Sequence, residues 1–225
     1  MTSTTDPASD LSSLVVSVLG GTGEQGRGLA RRLALAGHRV VLGSRDAARA
    51  ETAAAELSAG EISGTDNAAA ARAGDVVIVA VPWDGHRELL ASLAVELAGK
   101  VVVDCVNPLG FDKQGAYALA VEEGSAAQQA QAVLPDSRVV GAFHHVSAVL
   151  LLDETVERVD TDVLVLGDDR AATDLVQALV DRIPGMRGVF GGRLRNAHQV
   201  EALTANLISV NRRYKVHAGL RITDV

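Results

Sequence analysis

A cluster of glycines between a predicted strand and a predicted helix constrains this chain more than any other feature of its sequence. The segment VVSVLGGTGEQGRGLARRLALAG, residues 15–37, begins with short β-branched residues, typical of a strand buried on both faces. Further on, apolar residues recur at three- and four-residue spacing, typical of one buried helix face. Between the two, Gly21, Gly23 and Gly26 form the pattern G-x-G-x-x-G. A strand, this glycine pattern and a helix, in that order, predict a dinucleotide-binding turn.

Each glycine of the pattern has its own physical role in such a turn. The first allows a tight reversal, the second lets a pyrophosphate approach the backbone, and the third lets the helix pack closely on the strand. The N-terminus of the helix then faces the anion. The alternative is a glycine-rich turn without a ligand, and the flanking strand and helix argue against it. The residues predicted to bind the dinucleotide here are Gly21, Thr22, Gly23, Glu24, Gln25 and Gly26.

The end of the next predicted strand indicates which dinucleotide is bound. In HRVVLGSRD, residues 38–46, Ser44 and Arg45 stand where an NAD site places Asp or Glu. Arg49 follows one helical turn after Arg45, so both guanidinium groups can face one phosphate. The alternative is that Ser44 caps the next helix and the arginines are solvated, while Asp46 is expected to favour the N-terminus of that helix. We predict NADP, with Ser44, Arg45 and Arg49 binding its 2′-phosphate.

Three later predicted strands end in VPW, NP and FHHVS, which suit a second part of the site. Parallel strands joined by right-handed crossovers place their carboxyl ends along one edge of the sheet, where ligands bind in this fold class. A proline after a strand fixes a turn that can wall a nicotinamide, and an asparagine can bond its carboxamide or ribose. Each residue alone is equally well explained as part of an ordinary loop. The prediction rests on their shared edge and covers Val81, Pro82, Trp83, Asn107, Pro108, His144 and Val146.

The alternation of strand and helix patterns along the chain predicts the fold class. We expect an α/β protein with a Rossmann-type, doubly wound, mostly parallel sheet and a small C-terminal helical extension, whose long helix spans about residues 194–216. Residues 1–13 are predicted to be a disordered tail and residues 14–142 an NADP-binding domain. Residues 143–225 are predicted to be a smaller part that completes the site.

Composition narrows the classes of partner and compartment. The formal net charge of −7 argues against nucleic acid. The sequence contains no apolar run long enough to cross a membrane and no signal-peptide pattern, and Cys105 is the single cysteine, so we expect a cytoplasmic protein without disulfides. His144 and His145 are adjacent, and in an extended segment they point to opposite faces, so no metal site is predicted.

The predicted site lacks the residue sets that perform acid–base or nucleophilic chemistry. The sequence contains no Tyr-x-x-x-Lys dyad, no nucleophile elbow and no Cys-x-x-Cys motif. Such a site is typical of enzymes in which cofactors react with each other and the protein orients them.

From about residue 14 onward the chain resembles the NADPH-dependent coenzyme F420 reductases, also called F420-dependent NADP oxidoreductases. The resemblance rests on LGGTGEQGRGLA, VVLGSRD, VAVPW, VNP, GAFHHVSA and VEALTANLISVN, in that order. It implies direct hydride transfer between NADP(H) and the deazaflavin coenzyme F420. It further implies that Thr22 joins the 2′-phosphate residues in holding phosphates, that Pro82 and Trp83 border the nicotinamide, and that His144 contacts the deazaflavin. Ser147 departs from the proline of some relatives.

Other functions share parts of this pattern. An NADPH-dependent ferric or flavin reductase of similar fold is one alternative, and a non-catalytic NADP-sensing module is another. A β-hydroxyacid dehydrogenase or a pyrroline-carboxylate reductase is disfavoured because the chain after Gly192 is too short for the helical domain that these enzymes need.

The predicted C-terminal helix also indicates a homodimer. One apolar stripe of this helix can pack on the sheet. Ala202, Ala205 and Ile208 lie outside that stripe, and we expect them to form a second, exposed apolar surface that a two-fold partner covers. A basic run at the helix end would then lie near the partner's cofactor edge and attract the anionic tail of F420. The stripe consists of Leu194, Ala197, Val200, Leu203, Leu207 and Val210, and the basic run of Arg212, Arg213 and Lys215.

Overall fold

The computed structural model describes residue 11 and residues 13–225, so most of the tail predicted at residues 1–13 lies outside the described residues. Its strands, in chain order, are β1 (Val15–Leu19), β2 (Arg39–Ser44), β3 (Ile62–Asp66), β4 (Val76–Val79), β5 (Val101–Asp104), β6 (Leu109–Asp112), β7 (Gly115–Ala118), β8 (Arg138–Gly141), β9 (Thr161–Gly167) and β10 (Met186–Gly192). Strands β6 and β7 form a separate hairpin. The other eight form one sheet in the order β10-β9-β8-β5-β4-β1-β2-β3, in which only the β8–β9 pair is antiparallel.

Helices cover both faces of this sheet, and the predicted doubly wound, mostly parallel fold is confirmed. The described helices are α1 (Glu24–Leu35), α2 (Ala47–Glu56), α3 (Asn67–Ala73), α4 (His86–Ser92), α5 (Ala94–Leu97), α6 (Ala126–Val133), α7 (Ala148–Leu152), α8 (Arg170–Asp181) and α9 (Ala197–Tyr214), with a 3-10 turn at Leu194–Asn196. Every residue of β1, β4 and β5 is buried, because apolar side chains from helices pack against both faces of these strands.

The pairing register places four strand ends in one row. The last residue of β1, Leu19, pairs with Val79 of β4, which pairs with Asp104 of β5, which pairs with Gly141 of β8. Strand β1 also lies between β4 and β2, so the strand order reverses at this point, where ligands bind in this class of fold. The glycine turn and the loops after β4, β5 and β8 therefore meet at one edge of the sheet, as predicted.

Two elements of the fold lack a clear pattern in the sequence. The edge strand β3 has the sequence ISGTD, whose residues are half-buried or exposed, so it shows no apolar run. The hairpin of β6 and β7 contains LGFDKQGAYA, and its turn is held by Asp112, whose Oδ1 accepts hydrogen bonds from the backbone N–H groups of Gln114 and Gly115. The boundary predicted at residue 142 falls between two neighbouring strands of one sheet, because β9 joins β8.

A buried arginine attaches the loop after α7 to the dinucleotide-binding half of the chain. The guanidinium group of Arg32, in α1, donates hydrogen bonds to four backbone carbonyl oxygens. The acceptors belong to Leu150, Leu151, Asp153 and Val156. Burial lowers the pKa of Arg32, and these oxygens replace the water that the charge loses.

The C-terminal helix forms where it was predicted, but the prediction that Ala205 is exposed on a dimer surface is wrong. Ala205 is only 8% exposed, and β7 packs against the same helix. Ala202 and Ile208 are half-buried. The second apolar surface expected on α9 is therefore already partly covered within one chain. None of the helices in the described ranges has the length and hydropathy that crossing a membrane requires.

Candidate functional site

The glycine turn has the geometry of a nucleotide cradle, with one change from the expected roles. Positive φ occurs at Gly20, at +73°, so this residue and not Gly21 makes the tight reversal. Gly21 and Gly26 are required for packing instead, because an added Cβ would lie 2.8 Å from the Leu42 side chain at the first position and 2.8 Å from the Gly20 oxygen at the second. Gly23 has no such contact and leaves room for a ligand.

The N-terminus of α1 is free to bind an anion. Gly23 is the N-cap residue and has no side chain with which to cap the helix. The N–H groups of the first turn therefore keep their hydrogen-bonding capacity, and the helix dipole adds positive potential at the same point. This arrangement fits the pyrophosphate of a dinucleotide.

A cavity of about 390 Å³ beside this turn brings together the residues predicted to bind the 2′-phosphate. Thr22, Ser44, Arg45 and Arg49 all line it. The capping alternative for Ser44 does not hold, because Asp46 caps α2 by accepting hydrogen bonds from the backbone N–H groups of residues 48 and 49. Neither arginine forms an ion pair within the described part of the chain, so both charges are available to a phosphate.

Asn67 lines the same cavity and was missed by the sequence analysis. Its side-chain Oδ1 is buried without a hydrogen-bond partner among the described residues. A buried amide oxygen without a donor costs free energy, and a ligand hydroxyl or amino group would remove that cost. The sequence feature that could have indicated Asn67 is its position directly after a strand, at the first residue of α3. That strand, β3, was not predicted.

A second cavity, of about 280 Å³, adjoins the first through Ala80, Val81 and Pro82, which line both. Asn107 lines the second cavity, and its Nδ2 donates a hydrogen bond to the His144 carbonyl oxygen at 2.7 Å. The amide orientation is therefore determined, and Oδ1 is left buried and without a partner in residues 13–225. That oxygen suits the amino group of a nicotinamide carboxamide.

His144 and His145 are both buried, and neither is charged at neutral pH. Burial lowers the pKa of His144 to about 4. Burial, with nearby His144, lowers that of His145 to about 4. The two residues lie in a turn, not in the extended segment that the sequence indicated. His144 nevertheless lines the second cavity, whereas His145 is within the field of Asp162 in β9. In the described residues no group of three or more His, Cys, Asp or Glu could hold a metal ion.

The backbone before His144 is strained. Phe143 has a positive φ of 63° and is 2% exposed. Such a conformation costs about 1–3 kcal/mol for a residue other than glycine and persists only where surrounding contacts enforce it. Gln25, at the start of α1, donates a side-chain hydrogen bond to the Phe143 carbonyl at 3.4 Å. The strained turn therefore links the nucleotide helix to the loop that carries His144.

Thr204 is a further residue of the second cavity that sequence reasoning did not identify. Its Oγ1 donates a hydrogen bond to the same His144 carbonyl at 3.0 Å, 60 residues away in the chain. The helix pattern of α9 places Thr204 among half-buried positions and contains no sign of this contact.

A fully buried pair of His86 and Asp104 connects two of the strand-end loops. His86 Nε2 lies 2.6 Å from Asp104 Oδ2, and its Nδ1 lies 3.1 Å from Gln129 Oε1. The Gln129 orientation follows from its Nε2, which donates to Glu123. Since both ring nitrogens face acceptors, His86 is a protonated imidazolium. Burial lowers the pKa of His86, but the charge of Asp104 and the hydrogen bonds that the ring donates to Asp104 and Gln129 outweigh this effect and raise the pKa.

This pair supports residues that line the second cavity. Asp104 Oδ1 accepts a hydrogen bond from the Val106 backbone N–H, directly before Asn107. The His86 ring is tilted by 32° against the Trp83 ring with centroids 5.6 Å apart, an attractive contact for a cation and an indole. One ion pair therefore holds both the VPW loop and the NP loop. The sequence analysis missed it because 18 residues separate its members.

A second buried carboxylate completes the network. Glu201, in α9, accepts hydrogen bonds from the backbone N–H groups of Ala126 and Ala127 at the start of α6. Burial raises its pKa to about 7 against the effect of these donors. The C-terminal helix is thereby fastened to the helix that carries Gln129.

Most of the predicted site residues line one of the two adjoining cavities. Gly21 and Gly26 shape the turn without lining a cavity, and neither Glu24 nor Pro108 lines one. Pro108 instead accepts a hydrogen bond from the Leu119 N–H at the base of the hairpin. The lining residues among the predicted set are Thr22, Gly23, Gln25, Ser44, Arg45, Arg49, Val81, Pro82, Trp83, Asn107, His144 and Val146.

Comparison with known proteins decides the family. A family model described as "NADP oxidoreductase coenzyme F420-dependent" matches residues 15–108. The chain is 40% identical over 221 residues to the F420-dependent NADP reductase of Methanothermobacter marburgensis, covering 93% of this chain and 98% of that one. The chain belongs to the F420-dependent NADP reductase family. The family model covers the glycine turn, the Ser44–Arg45 pair and the VPW and NP loops.

Two further similarities bear on fold and function. A crystal structure described as a candidate F420-dependent NADP reductase from Arthrobacter sp. FB24 superimposes with a TM-score of 0.78 at 26% identity, covering 94% of this chain and 100% of that one. The metalloreductase STEAP3 of Rattus norvegicus is 32% identical over 188 residues, which are 84% of this chain but 36% of that protein. The similarity to this metalloreductase is thus confined to 36% of a larger protein.

Proposed function

We propose that this chain transfers a hydride directly between NADP(H) and the deazaflavin coenzyme F420. The observation that supports this most strongly is the second cavity, which opens from the nucleotide cavity. It presents a neutral histidine and a buried amide oxygen without a partner among the described residues. Binding NADP alone does not require this further space. The 40% identity to a named F420-dependent NADP reductase supports the same reaction.

The residues of the chain supply binding and orientation. Ser44, Arg45 and Arg49 hold the 2′-phosphate, and the N-terminus of α1 holds the pyrophosphate. Asn107 Oδ1 accepts a hydrogen bond from the nicotinamide carboxamide, which fixes the face that the ring presents. Val81, Pro82 and Trp83 form the wall of this position, while His144 and Val146 contact the deazaflavin.

The side chains of the chain neither donate nor accept a proton in the hydride step, and the proton that completes the reduced deazaflavin comes from water. His144, with its pKa near 4, is neutral and acts by position. Burial raises the pKa of Cys105, and its thiol donates a hydrogen bond to the Val79 carbonyl oxygen, so it is not a nucleophile. The bound cofactors supply the redox chemistry, since one donates a hydride at the nicotinamide C4 and the other accepts it on its ring.

An isotope experiment tests this function. With deuterium at the transferred position of NADPH, we expect the label to appear in reduced F420 and not in water, because the two carriers react without a proton-exchanging intermediate. The F420 visible absorbance reports turnover, with FMN and a ferric chelate as parallel acceptors. Label lost to solvent contradicts direct transfer, and faster reduction of FMN or iron supports the ferric or flavin reductase alternative. Tight NADP binding without reduction of any acceptor supports the sensing module.

We also propose that the chain is a homodimer. Exposed aromatic side chains support this proposal: Tyr117 on the hairpin and Tyr214 at the end of α9, which are 47% and 69% exposed. Apolar surface of this kind is typical of interfaces. Light scattering at micromolar concentration is expected to show twice the chain mass, and a monomeric mass with full activity would reject the proposal.

We propose a cytoplasmic location, supported by a single free cysteine that is buried, as suits a reducing compartment. The net charge of −7 supports the absence of a nucleic-acid partner.

A further inference from the structure

A third cavity lies between the hairpin and the C-terminal helix. Its volume is about 530 Å³. The hairpin contributes one wall and α9 the other. The lining residues are Phe111, Asp112, Gln114, Gly115 and Ala116 from the hairpin, and Ile208, Ser209, Arg212 and Arg213 from α9. We call this space the hairpin groove.

Both walls of the hairpin groove continue the walls of the second cavity. On α9, Thr204 lines the second cavity, and Ile208 and Arg212 follow at four-residue spacing on the same helix face. At 1.5 Å per residue, Arg212 lies about 12 Å along the axis from Thr204. On the other side, Asn107 lines the second cavity, and Phe111 lies about 13 Å further along an extended chain. The two spaces are therefore successive along the same pair of elements.

The hairpin groove carries positive charge that the chain itself does not neutralise. Arg212 and Arg213 form no ion pair in the part of the chain that the structure describes. Asp112 is the acid in the lining, and its carboxylate is bound to the backbone of the hairpin turn. Lys113, at the same turn, is exposed. On a chain with a net charge of −7, this local excess of cations suits an anionic ligand.

We propose that the hairpin groove binds the anionic tail of F420, with Arg212 and Arg213 pairing with its phosphate and glutamyl carboxylates. The inference rests on the proposed function, because it assumes that the deazaflavin ring occupies the second cavity. The tail then leaves the ring along α9 and reaches the arginines of the same chain after about 12 Å, a length of about two helix turns. The partner subunit is not needed for this contact, in contrast to the arrangement predicted from the sequence.

The test compares F420 with its tail-less deazaflavin riboside. Binding of each is measured by deazaflavin fluorescence to the full-length chain, to the double variant Arg212→Gln with Arg213→Gln, and to the control Arg39→Gln. Glutamine keeps helix propensity and removes charge. Arg39 is exposed at the start of β2, at the other end of the strands from the site, so it controls for bulk charge.

The unaltered chain is expected to bind F420 about 10- to 100-fold more tightly than the riboside, as one or two charge-assisted hydrogen bonds provide. The double variant should lose most of this preference without changing riboside affinity, and added salt should reduce the preference of the unaltered chain. Arg39→Gln should leave both affinities unchanged.

Several outcomes would refute the proposal that the hairpin groove binds the tail of F420. Equal binding of F420 and the riboside to the unaltered chain would do so, as would an equal loss in Arg39→Gln. A double variant whose mass in solution shows a changed oligomeric state, with the same preference for F420 over the riboside, would indicate that the hairpin groove is a subunit interface. Turnover is scored separately with the riboside: a chain that prefers F420 through these arginines but reduces neither compound with NADPH refutes the proposed function and retains the groove.

Discussion

Replacing Asp104 with alanine is expected to lower the free energy of unfolding by about 3–5 kcal/mol, because the substitution leaves the His86 imidazolium buried without its counter-charge. Both side chains are fully buried. Unfolding in urea, followed by circular dichroism, measures the change. The control is Asp168→Ala, whose carboxylate is 57% exposed and lies 3.7 Å from Arg193, and the expected loss there is below about 1 kcal/mol. A loss for Asp104→Ala no larger than the control would show that the pair does not stabilise the fold.

The milder variant Asp104→Asn tests the charge itself. The raised pKa of His86 means that its contribution to stability is fully present below the unfolded pKa, near 6.5, and is lost as the pH rises through the folded pKa. The stability difference between the unaltered chain and Asp104→Asn should therefore be largest near pH 6 and decrease in alkaline solution. Because the charge of Asp104 raises the pKa of Glu201 and that of His86 lowers it, both proteins are compared in a Glu201→Gln background, which removes this titration from the difference. A difference independent of pH would indicate that His86 is neutral.

Arg45→Ala is expected to weaken NADP binding by about 1.5–3 kcal/mol, or roughly 10- to 150-fold, and to change NAD binding little. The physical reason is that Arg45 lines the nucleotide cavity without an ion-pair partner in the described ranges, so its guanidinium group is available to the 2′-phosphate, which NAD lacks. Titration calorimetry with both nucleotides measures the change, and Arg39→Ala removes the same charge far from the cavity as a control. An equal loss for NAD and NADP would refute the assignment of this phosphate site.

The sequence by itself determined the features whose physical cause is local. The order of strand, G-x-G-x-x-G and helix specifies the nucleotide turn, because its steric demands act within a dozen residues. Ser44 is the last residue of β2 and Arg45 follows it, so the end of this strand predicts their position at the nucleotide cavity. Pro82 after β4 and Asn107 after β5 line the same cavity because the two parallel strands are paired in register and end in one row.

Only the tertiary structure decided which distant groups meet. The carbonyl of His144 receives Asn107 and Thr204 across 37 and 60 residues, and the His86–Asp104 pair needs Gln129 to set its protonation. Even in the glycine turn, packing decided that Gly20 takes the positive φ and that Gly21 is limited by Leu42. Ala205 was expected to be exposed and is buried, since the hairpin that packs on α9 left no periodic pattern in the sequence. Periodicity reports which face of an element is apolar, whereas burial and hydrogen bonding depend on what packs against that face, and long-range contacts alone determine it.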